Sequence, residues 1–199
     1  MEIPEQHLDS FEKEGYFIWE GFLDIQTLKD IVAELIDLTT KETFRKAGIG
    51  KDNDFQINES QRGDFIHWIN PAEGASATKI YLEKIEELIT YLNRTFYLGI
   101  RDFECHYTHY PAGSFYKKHV DRHKNGSHRI VSFVLYLNED WNESDGGLLR
   151  LYNNTDHFVD VLPRLGTLAV FLSEKEHEVQ LTQRTRMSIT GWMLNEKAL

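Results

Sequence analysis

The chain has 199 residues, of which 41% are hydrophobic and 13% aromatic, a composition typical of one globular domain and not of a disordered chain. Its net charge of −10 disfavours nucleic acid and anionic membranes as partners. No apolar run approaches about 18 residues, and the acidic N-terminus lacks the apolar segment of a signal peptide, so we expect a soluble protein that is not exported. The single cysteine, Cys105, excludes an intramolecular disulfide and a multi-cysteine zinc site, and it fits a reducing cytoplasm.

Two helices are predicted in the first half of the chain. Asp24 is a suitable N-cap, and an apolar stripe at helical spacing follows it: Leu28, Ile31, Val32, Leu35 and Ile36. The pattern recurs near Ala77 to Arg94, with Ile80, Ile85, Leu88, Ile89 and Leu92. The segment from Phe44 to Arg62 lacks a clean period, which predicts a surface loop that can serve as a lid beside the site.

From Ile100 onward the pattern changes to short strands. They are separated by the turn signals "PAGS", "KNGS", "ESDGG" and "NNTD". Helices followed by many strands predict an α+β domain in which the helices brace a β-sandwich or barrel. We expect a single domain over residues 1–199, with helical support mainly in 1–99 and the β core in about 100–195.

Three separated residues form a candidate metal site: His119, Asp121 and His177. In an extended strand the first two side chains point to one face, with Val120 on the other, and the third ligand can arrive from a later strand. Two imidazoles and one carboxylate are the facial arrangement of non-haem Fe(II) enzymes that activate dioxygen. Alone, an H-x-D triplet is more often a solvated pair, so the metal interpretation depends on the strand-like runs beside both segments.

Arg186 follows the second histidine and offers a bidentate cation to a carboxylate-bearing co-substrate. Arg184 lies on the same face of an extended strand, so one of the two arginines is expected to be solvated. Ser188 and Thr190 would share the face of Arg186, which favours Arg186 as the inward member. Together with the three candidate ligands, this is the pattern of a 2-oxoglutarate-dependent oxygenase.

Five segments of the chain carry a wider similarity: "RGDFIHWI", "YPAGSFYKKHVD", "VLYLNEDWNESDGGLLRLY", "HEVQ" and "RTRMSITGW". In their order and spacing they resemble the 2-oxoglutarate and Fe(II) oxygenases, and more narrowly the prolyl hydroxylases that act on hypoxia-inducible factor. The resemblance implies a double-stranded β-helix (a jelly-roll, cupin-like core) braced by N-terminal helices. The resemblance also implies a compact relative of a bacterial type, without an appended regulatory module.

The resemblance also implies roles for the matching residues. The iron ligands would be His119, Asp121 and His177. Arg186 would pair with the distal carboxylate of 2-oxoglutarate, helped by the hydroxyls of Tyr136 and Thr190. Tyr110 would hydrogen-bond near the chelated end of the co-substrate. The pocket would be lined by Leu149 and Trp192, for which plain core packing is an equal alternative.

Residues at the substrate entrance are implied in the same way: Arg62, Asp64, Trp68, Tyr116 and Arg129. Their alternative is a salt bridge on an edge strand with a core tryptophan. The cations between Lys117 and Arg129 predict a basic rim, which is either a solvated turn or a surface that steers an anionic partner. The chain departs from the family in a shorter turn after Tyr110 and in three extra histidines, interpreted as supporting or surface residues: His106, His109 and His123.

The function implied is hydroxylation of a prolyl residue in a protein by Fe(II), 2-oxoglutarate and dioxygen, with release of succinate and carbon dioxide. The resemblance includes ascorbate among the cofactors, and the expected partner is a protein with a proline in a flexible loop. Two alternatives stay open: the same mechanism on a small molecule such as a free amino acid, and a catalytically silent cupin-like sensor of metal or organic acid. A zinc hydrolase is disfavoured because no spare carboxylate is placed as general base.

Overall fold

The structure is a computed structural model and describes residues 2–48, 56–72, 75–122, 128–153 and 157–197. Within these ranges lie three α-helices, α1 (Glu5–Glu14), α2 (Ile25–Thr40) and α3 (Ser76–Phe96). The strands described are β1 (Tyr16–Trp19), β2 (Arg45–Lys46), β3 (Phe65–Trp68), β4 (Asp102–Tyr110), β5 (Tyr116–His119), β6 (Arg129–Tyr136), β7 (Leu149–Tyr152), β8 (Phe158–Val161), β9 (Leu168–Leu172), β10 (His177–Val179) and β11 (Arg186–Leu194). No helix in the described ranges combines the length and hydrophobicity needed to span a bilayer.

The strands form two antiparallel sheets. The major sheet has seven strands in the order β1-β9-β6-β11-β4-β3-β2, and the minor sheet has four in the order β5-β10-β7-β8. In the major sheet, the central strand β11 pairs with β4 and β6 over long registers, with Arg186 opposite Tyr110 and Ser188 opposite Tyr136. This two-sheet core with bracing helices confirms the predicted double-stranded β-helix.

The helices pack against the major sheet through the predicted apolar stripes. Asp24 caps α2, because its carboxylate accepts a hydrogen bond of 2.9 Å from the backbone N–H of Thr27. On α2, Leu28, Ile31 and Leu35 are buried in the largest hydrophobic cluster. The predicted stripes were too wide at two positions, since Ile36 is 49% exposed and Ile80 is 42% exposed. Both lie at the margin of a stripe, where the helix surface turns away from the sheet.

The first half of the chain also supplies strands that its sequence pattern did not reveal. β1 pairs with β9 at one edge of the major sheet, and β3 pairs with β4 near the other. These strands have two to four residues, too few to display a period of two. Parts of the predicted loops lie outside the described residues: 49–55 of the Phe44 to Arg62 segment, all of "KNGS", and 154–156 of "NNTD".

A second, smaller apolar cluster involves both sheets. It contains Val134, Tyr136, Leu149, Leu151, Val161, Ala169 and Phe171. Tyr136 and Phe171 belong to the major sheet, whereas Leu149 and Leu151 belong to the minor sheet. The two inner faces therefore meet here, and the polar groups described next lie on or beside these faces.

Candidate metal and co-substrate site

The two candidate histidine ligands face each other across neighbouring strands. His119 on β5 and His177 on β10 are register partners, and their ring centroids lie 4.2 Å apart. Nδ1 of His119 lies 2.7 Å from the carbonyl oxygen of Lys117, and Nδ1 of His177 lies 2.9 Å from that of Lys175. A carbonyl oxygen can only accept, so each Nδ1 carries a proton, and in the neutral form of each ring the lone pair lies on Nε2, where it can bind a metal.

Asp121 completes the cluster from a bend, not from the strand itself. β5 ends at His119, and the backbone N–H groups of Asp121 and Arg122 both donate to the carbonyl oxygen of Ser173, at 3.0 and 2.9 Å. The prediction that strand alternation alone would align His119 with Asp121 is therefore wrong. The bend brings the carboxylate within 3.7 Å of Nε2 of His119 and 3.5 Å of Nε2 of His177.

The electrostatics of this cluster match a divalent cation. Burial, reinforced by His177, lowers the pKa of His119, so its imidazole is neutral near pH 7. Burial works against ionisation of Asp121, but the positive charge that His177 and His119 carry when they are protonated, together with a hydrogen bond from Ser132, outweighs it and lowers the carboxyl pKa. The three ligand atoms lie within 4.8 Å of one another. Two imidazole nitrogens and one carboxylate so placed fit Fe(II).

Ser132 is a supporting residue that the sequence analysis missed. Its hydroxyl donates to Oδ2 of Asp121 at 2.7 Å and lies 2.9 Å from the hydroxyl of Ser173. The available signal was the alternation along β6, which places Ser132 and Tyr136 on one face. With about 3.3 Å of rise per residue, the two are separated by roughly 13 Å. Ser132 therefore supports the metal cluster at one end of this face, and Tyr136 lies beside Arg186 at the other.

Arg186, on β11, lies near Tyr136, at the opposite end of the inner face from Ser132. It is only 2% exposed, whereas Arg184 is exposed, so Arg186 is the inward member of the pair. Its Nε donates to the carbonyl oxygen of Gly147 at 2.9 Å, and a Cβ on Gly147, where φ is +64°, would lie 3.1 Å from Cδ of Arg186. Among the described residues, no Asp or Glu forms an ion pair with this guanidinium.

Two tyrosine rings flank this cation. The Arg186 Cζ atom lies 5.1 Å from the ring centroid of Tyr110 and 5.0 Å from that of Tyr136. The hydroxyl of Tyr136 is buried and makes no hydrogen bond within the described part of the chain. Burial raises the Tyr136 pKa to about 12, although the Arg186 charge opposes this, so the hydroxyl keeps its proton and can donate. A buried cation beside an unused donor fits an incoming carboxylate.

The remaining predicted co-substrate residues surround this space. Thr190 lies two positions beyond Ser188 on β11 and shares the face of Arg186. Leu149 is 2% exposed and packs in the cluster that contains Tyr136, so it lines the inner wall as a core residue. Trp192 is 8% exposed, and the guanidinium carbon of Arg129 stacks 3.4 Å from the centre of its ring.

The predicted entrance residues are brought together in two groups. Arg62 binds Asp64 through two hydrogen bonds of 2.7 and 2.6 Å, and its Cζ atom lies 4.2 Å from the ring centroid of Tyr116. Arg129 binds Glu104 at 2.8 Å. Trp68 is 49% exposed, so the alternative of a core tryptophan is wrong. A cavity of about 300 Å³ lies beside the Arg62 and Asp64 pair and is not lined by the candidate metal ligands.

The structure describes only part of the predicted basic rim and two of the three extra histidines. Lys118 is paired with Glu176, and Arg129 with Glu104, so part of the positive charge is neutralised locally. His106 is buried between Trp68 and Trp192, whereas His109 packs against Phe44 and Phe65. His123 and Lys124 lie outside the described residues.

Known proteins share this architecture. The 2OG-Fe(II) oxygenase superfamily matches residues 105–194. A prolyl-4-hydroxylase structure from Pseudomonas putida is 36% identical, with 96% of this chain and 98% of that chain covered and a TM-score of 0.87. A Trichoplax adhaerens prolyl hydroxylase, solved with a hypoxia inducible factor oxygen degradation domain peptide fragment, is 28% identical, with 95% and 87% covered and a TM-score of 0.85. Human Egl nine homolog 1 is 30% identical over 90% of this chain.

The chain therefore belongs to the 2OG-Fe(II) oxygenase superfamily, as its sequence predicted. Within that superfamily, this chain is similar to prolyl hydroxylases, and its match to the Pseudomonas putida enzyme extends over nearly the whole of both chains. The chain spans 44% of the length of human Egl nine homolog 1.

Proposed function

We propose that this protein is an Fe(II)- and 2-oxoglutarate-dependent dioxygenase that hydroxylates a prolyl residue of a protein substrate. The observation that carries the proposal is the buried Arg186 guanidinium, which has no carboxylate partner among the described residues. A buried charge is costly unless it is paired, so the pocket is suited to bind an anion. Prolyl specificity is supported by the similarity to the Pseudomonas putida prolyl-4-hydroxylase.

The three ligands have defined tasks. His119 and His177 offer Nε2 atoms whose lone pairs are free because Nδ1 is bound to a backbone carbonyl. Asp121 supplies the negative charge, and the hydrogen bond from Ser132 orients it. When bound, Fe(II), 2-oxoglutarate and dioxygen supply the oxidising chemistry, which converts 2-oxoglutarate to succinate and carbon dioxide and places one oxygen atom in a C–H bond.

The co-substrate residues bind and orient the diacid. Arg186 pairs with its distal carboxylate, and the hydroxyls of Tyr136 and Thr190 donate to the same group. Leu149 forms an apolar wall that excludes water from this charge pair, which strengthens it. Tyr110, whose pKa is raised by burial, stays protonated beside Arg186 and can donate a hydrogen bond.

The substrate side is assigned to the entrance residues. Tyr116 stacks on His119, and Arg62 lies over Tyr116, so the Arg62 and Asp64 pair forms one wall of the approach to the metal cluster. Trp68 and the Arg129 side chain stacked on Trp192 form another. The adjoining cavity of about 300 Å³ has room for residues that flank the proline. A proline in a flexible loop can reach a recessed metal more easily than one in a helix or sheet.

Three further properties belong to this proposal. Ascorbate would act as an accessory reductant that keeps the iron ferrous, an expectation supported by the family resemblance. A cytoplasmic location is supported by the single, buried Cys105, which needs no oxidising compartment. The net charge of −10 favours partners other than nucleic acid and anionic membranes.

The test is coupled turnover. The protein, supplied with Fe(II), 2-oxoglutarate and candidate proline-containing peptides or proteins, should form succinate in step with a substrate mass increase of one oxygen atom. The His177→Ala variant should form neither product. If free amino acids are hydroxylated efficiently while no protein proline is oxidised, the substrate assignment is wrong. If 2-oxoglutarate binds but no substrate is oxidised, the protein is a sensor and not an enzyme.

A further inference from the structure

Two buried polar residues on the inner face of β4 have no role in the chemistry proposed above. His106 and Thr108 are each 2% exposed, and they share a face with Tyr110 because strand residues two apart point the same way. The register with β11 places His106 opposite Thr190 and Thr108 opposite Ser188. They therefore lie next to the strand that carries Arg186.

These side chains form a hydrogen-bonded chain with one direction. Thr108 Oγ1 donates to Thr190 Oγ1 at 3.2 Å, so the only hydroxyl hydrogen of Thr108 is used. Nδ1 of His106 lies 3.1 Å from Thr108 Oγ1 and 3.3 Å from the carbonyl oxygen of Tyr107. The carbonyl can only accept, so Nδ1 carries the proton and donates to Thr108.

The surroundings of His106 hold it in this single state. Its ring packs against Trp68 and Trp192, with centroids 5.0 and 5.4 Å away. Burial lowers the His106 pKa to about 4, so the ring is neutral at physiological pH and has one N–H. The proton on Nδ1 therefore fixes the direction of both hydroxyl groups that follow.

Thr190 carries the last hydroxyl of this hydrogen-bonded series, and among the described residues no closely placed acceptor takes its hydrogen. Thr190 accepts from Thr108, and its other polar neighbour, Ser188 Oγ, is 3.5 Å away, at the outer limit of a hydrogen bond. Thr190 is only partly buried, so its hydroxyl can reach a ligand on the inner face. That face also carries Arg186 and Tyr136.

We propose that His106 is a positioning residue that acts through Thr108 to direct the Thr190 hydroxyl hydrogen toward the carboxylate of bound 2-oxoglutarate. The inference rests on the proposed function and adds a determinant of co-substrate affinity outside the groups that touch the co-substrate. Its direction runs from His106 Nδ1–H to Thr108, from Thr108 to Thr190, and from Thr190 to the carboxylate.

The test is calorimetric titration of the Mn(II)-loaded protein with 2-oxoglutarate in the absence of oxygen, which measures affinity without turnover. His106→Leu and Thr108→Val should each weaken binding about 3- to 10-fold, the usual effect of one lost hydrogen bond. His106→Asn keeps an N–H near the Nδ1 position and Thr108→Ser keeps the hydroxyl, so both should stay within about twofold of the unmodified protein. The His106→Leu, Thr108→Val double variant should bind no more weakly than either single variant.

His109→Leu is the matched control, because His109 is a histidine of the same strand that points to the opposite face. It should leave the affinity unchanged. The inference is overturned if His106→Leu binds as tightly as the unmodified protein, if His106→Asn loses as much as His106→Leu, or if the two losses multiply in the double variant. Should His106→Leu fail to fold, the Thr108→Val and Thr108→Ser pair decides. If the unmodified protein does not bind 2-oxoglutarate at all, it is the proposed function that is wrong.

Discussion

The ring of Tyr116 stacks on the ring of His119, with centroids 3.6 Å apart and planes inclined by 15°. The same tyrosine ring lies 4.2 Å from the guanidinium carbon of Arg62, which in turn binds the buried carboxylate of Asp64. A series of contacts thus leads from the Arg62 and Asp64 ion pair to a candidate metal ligand. A change at either end can alter the position of the other.

Metal binding should depend on all three ligands. Asp121→Ala and His177→Ala each remove one of three protein donors, and we expect Fe(II) or Mn(II) affinity to fall more than about 100-fold. At a metal concentration of 100 times Kd, binding should stabilise the unmodified protein by about 2.7 kcal/mol, and this gain should vanish in both variants. Thermal unfolding with and without metal measures it. Asp9→Ala, a change at an exposed helix residue, is the control, and a normal metal-dependent shift in Asp121→Ala would refute the ligand assignment.

Ser132→Ala should weaken metal binding without removing a ligand. The hydroxyl orients Asp121 through a bond of 2.7 Å, and loss of such a supporting group typically lowers metal affinity about 10- to 100-fold. Competition with a chromophoric chelator gives the dissociation constant. Ser10→Ala is the control: its hydroxyl donates to the backbone carbonyl of Tyr16 and touches none of the candidate ligands, so this variant should bind metal normally. Equal affinities in Ser132→Ala and the unmodified protein would show that Asp121 is held by its backbone alone.

Arg186→Lys should weaken 2-oxoglutarate binding although the charge is retained, because a bidentate fork becomes a point charge. Loss of a charge-assisted contact costs about 1.5–3 kcal/mol, or roughly 10- to 100-fold in affinity. The Michaelis constant for 2-oxoglutarate reports it. Arg184→Lys is the matched control, since Arg184 is exposed and its nearest partners are Asp145 and surface carbonyls. A larger effect at position 184 than at 186 would reverse the assignment.

Arg62→Met should destabilise the fold, because it leaves the Asp64 carboxylate buried without its cation. Removing one partner of a buried ion pair costs about 3–5 kcal/mol, whereas an exposed pair contributes less than about 1 kcal/mol. Urea unfolding of Arg62→Met and of Lys13→Met, which breaks the exposed pair with Asp9, separates the two cases. Similar small losses in both variants would mean that Asp64 finds water or another donor.

His106 should make stability depend on acid pH. Its pKa is lowered by burial from 6.5 to about 4, so the unfolded chain binds more protons between these values. The contribution of neutral His106 is therefore fully present above about pH 6.5 and is lost as the pH falls toward 4. Between pH 7.5 and 5, metal-free His106→Asn should lose about 1–2 kcal/mol less of its free energy of unfolding than the unmodified protein. Parallel losses in both proteins would indicate that His106 is accessible to protons in the fold.

Much of the fold and of the site could be predicted because the relevant signals are local. The stripes of α2 and α3, the change to short strands after Ile100 and the family segments all depend on residues close together in sequence. The strands of the first half could not be predicted, since β1 and β2 have too few residues to show a period and are stabilised by partners far along the chain. Ser132 was missed because its partner Asp121 reaches it through a bend, a contact that no local pattern reveals. His106 was interpreted only as a supporting or surface residue, since its packing between Trp68 and Trp192 depends on strand pairing.

The sequence by itself determined which residue types are available: two histidines and one aspartate for a metal, one arginine for a carboxylate, and a core pattern for two sheets and their helices. Only the tertiary structure decided how they meet. Asp121 reaches the histidines because a bend is held by the carbonyl of Ser173, and the Nε2 atoms are free because carbonyls of Lys117 and Lys175 bind the opposite nitrogens. These are hydrogen bonds to backbone groups, whose positions follow from strand pairing and whose identity leaves no trace in the side-chain sequence.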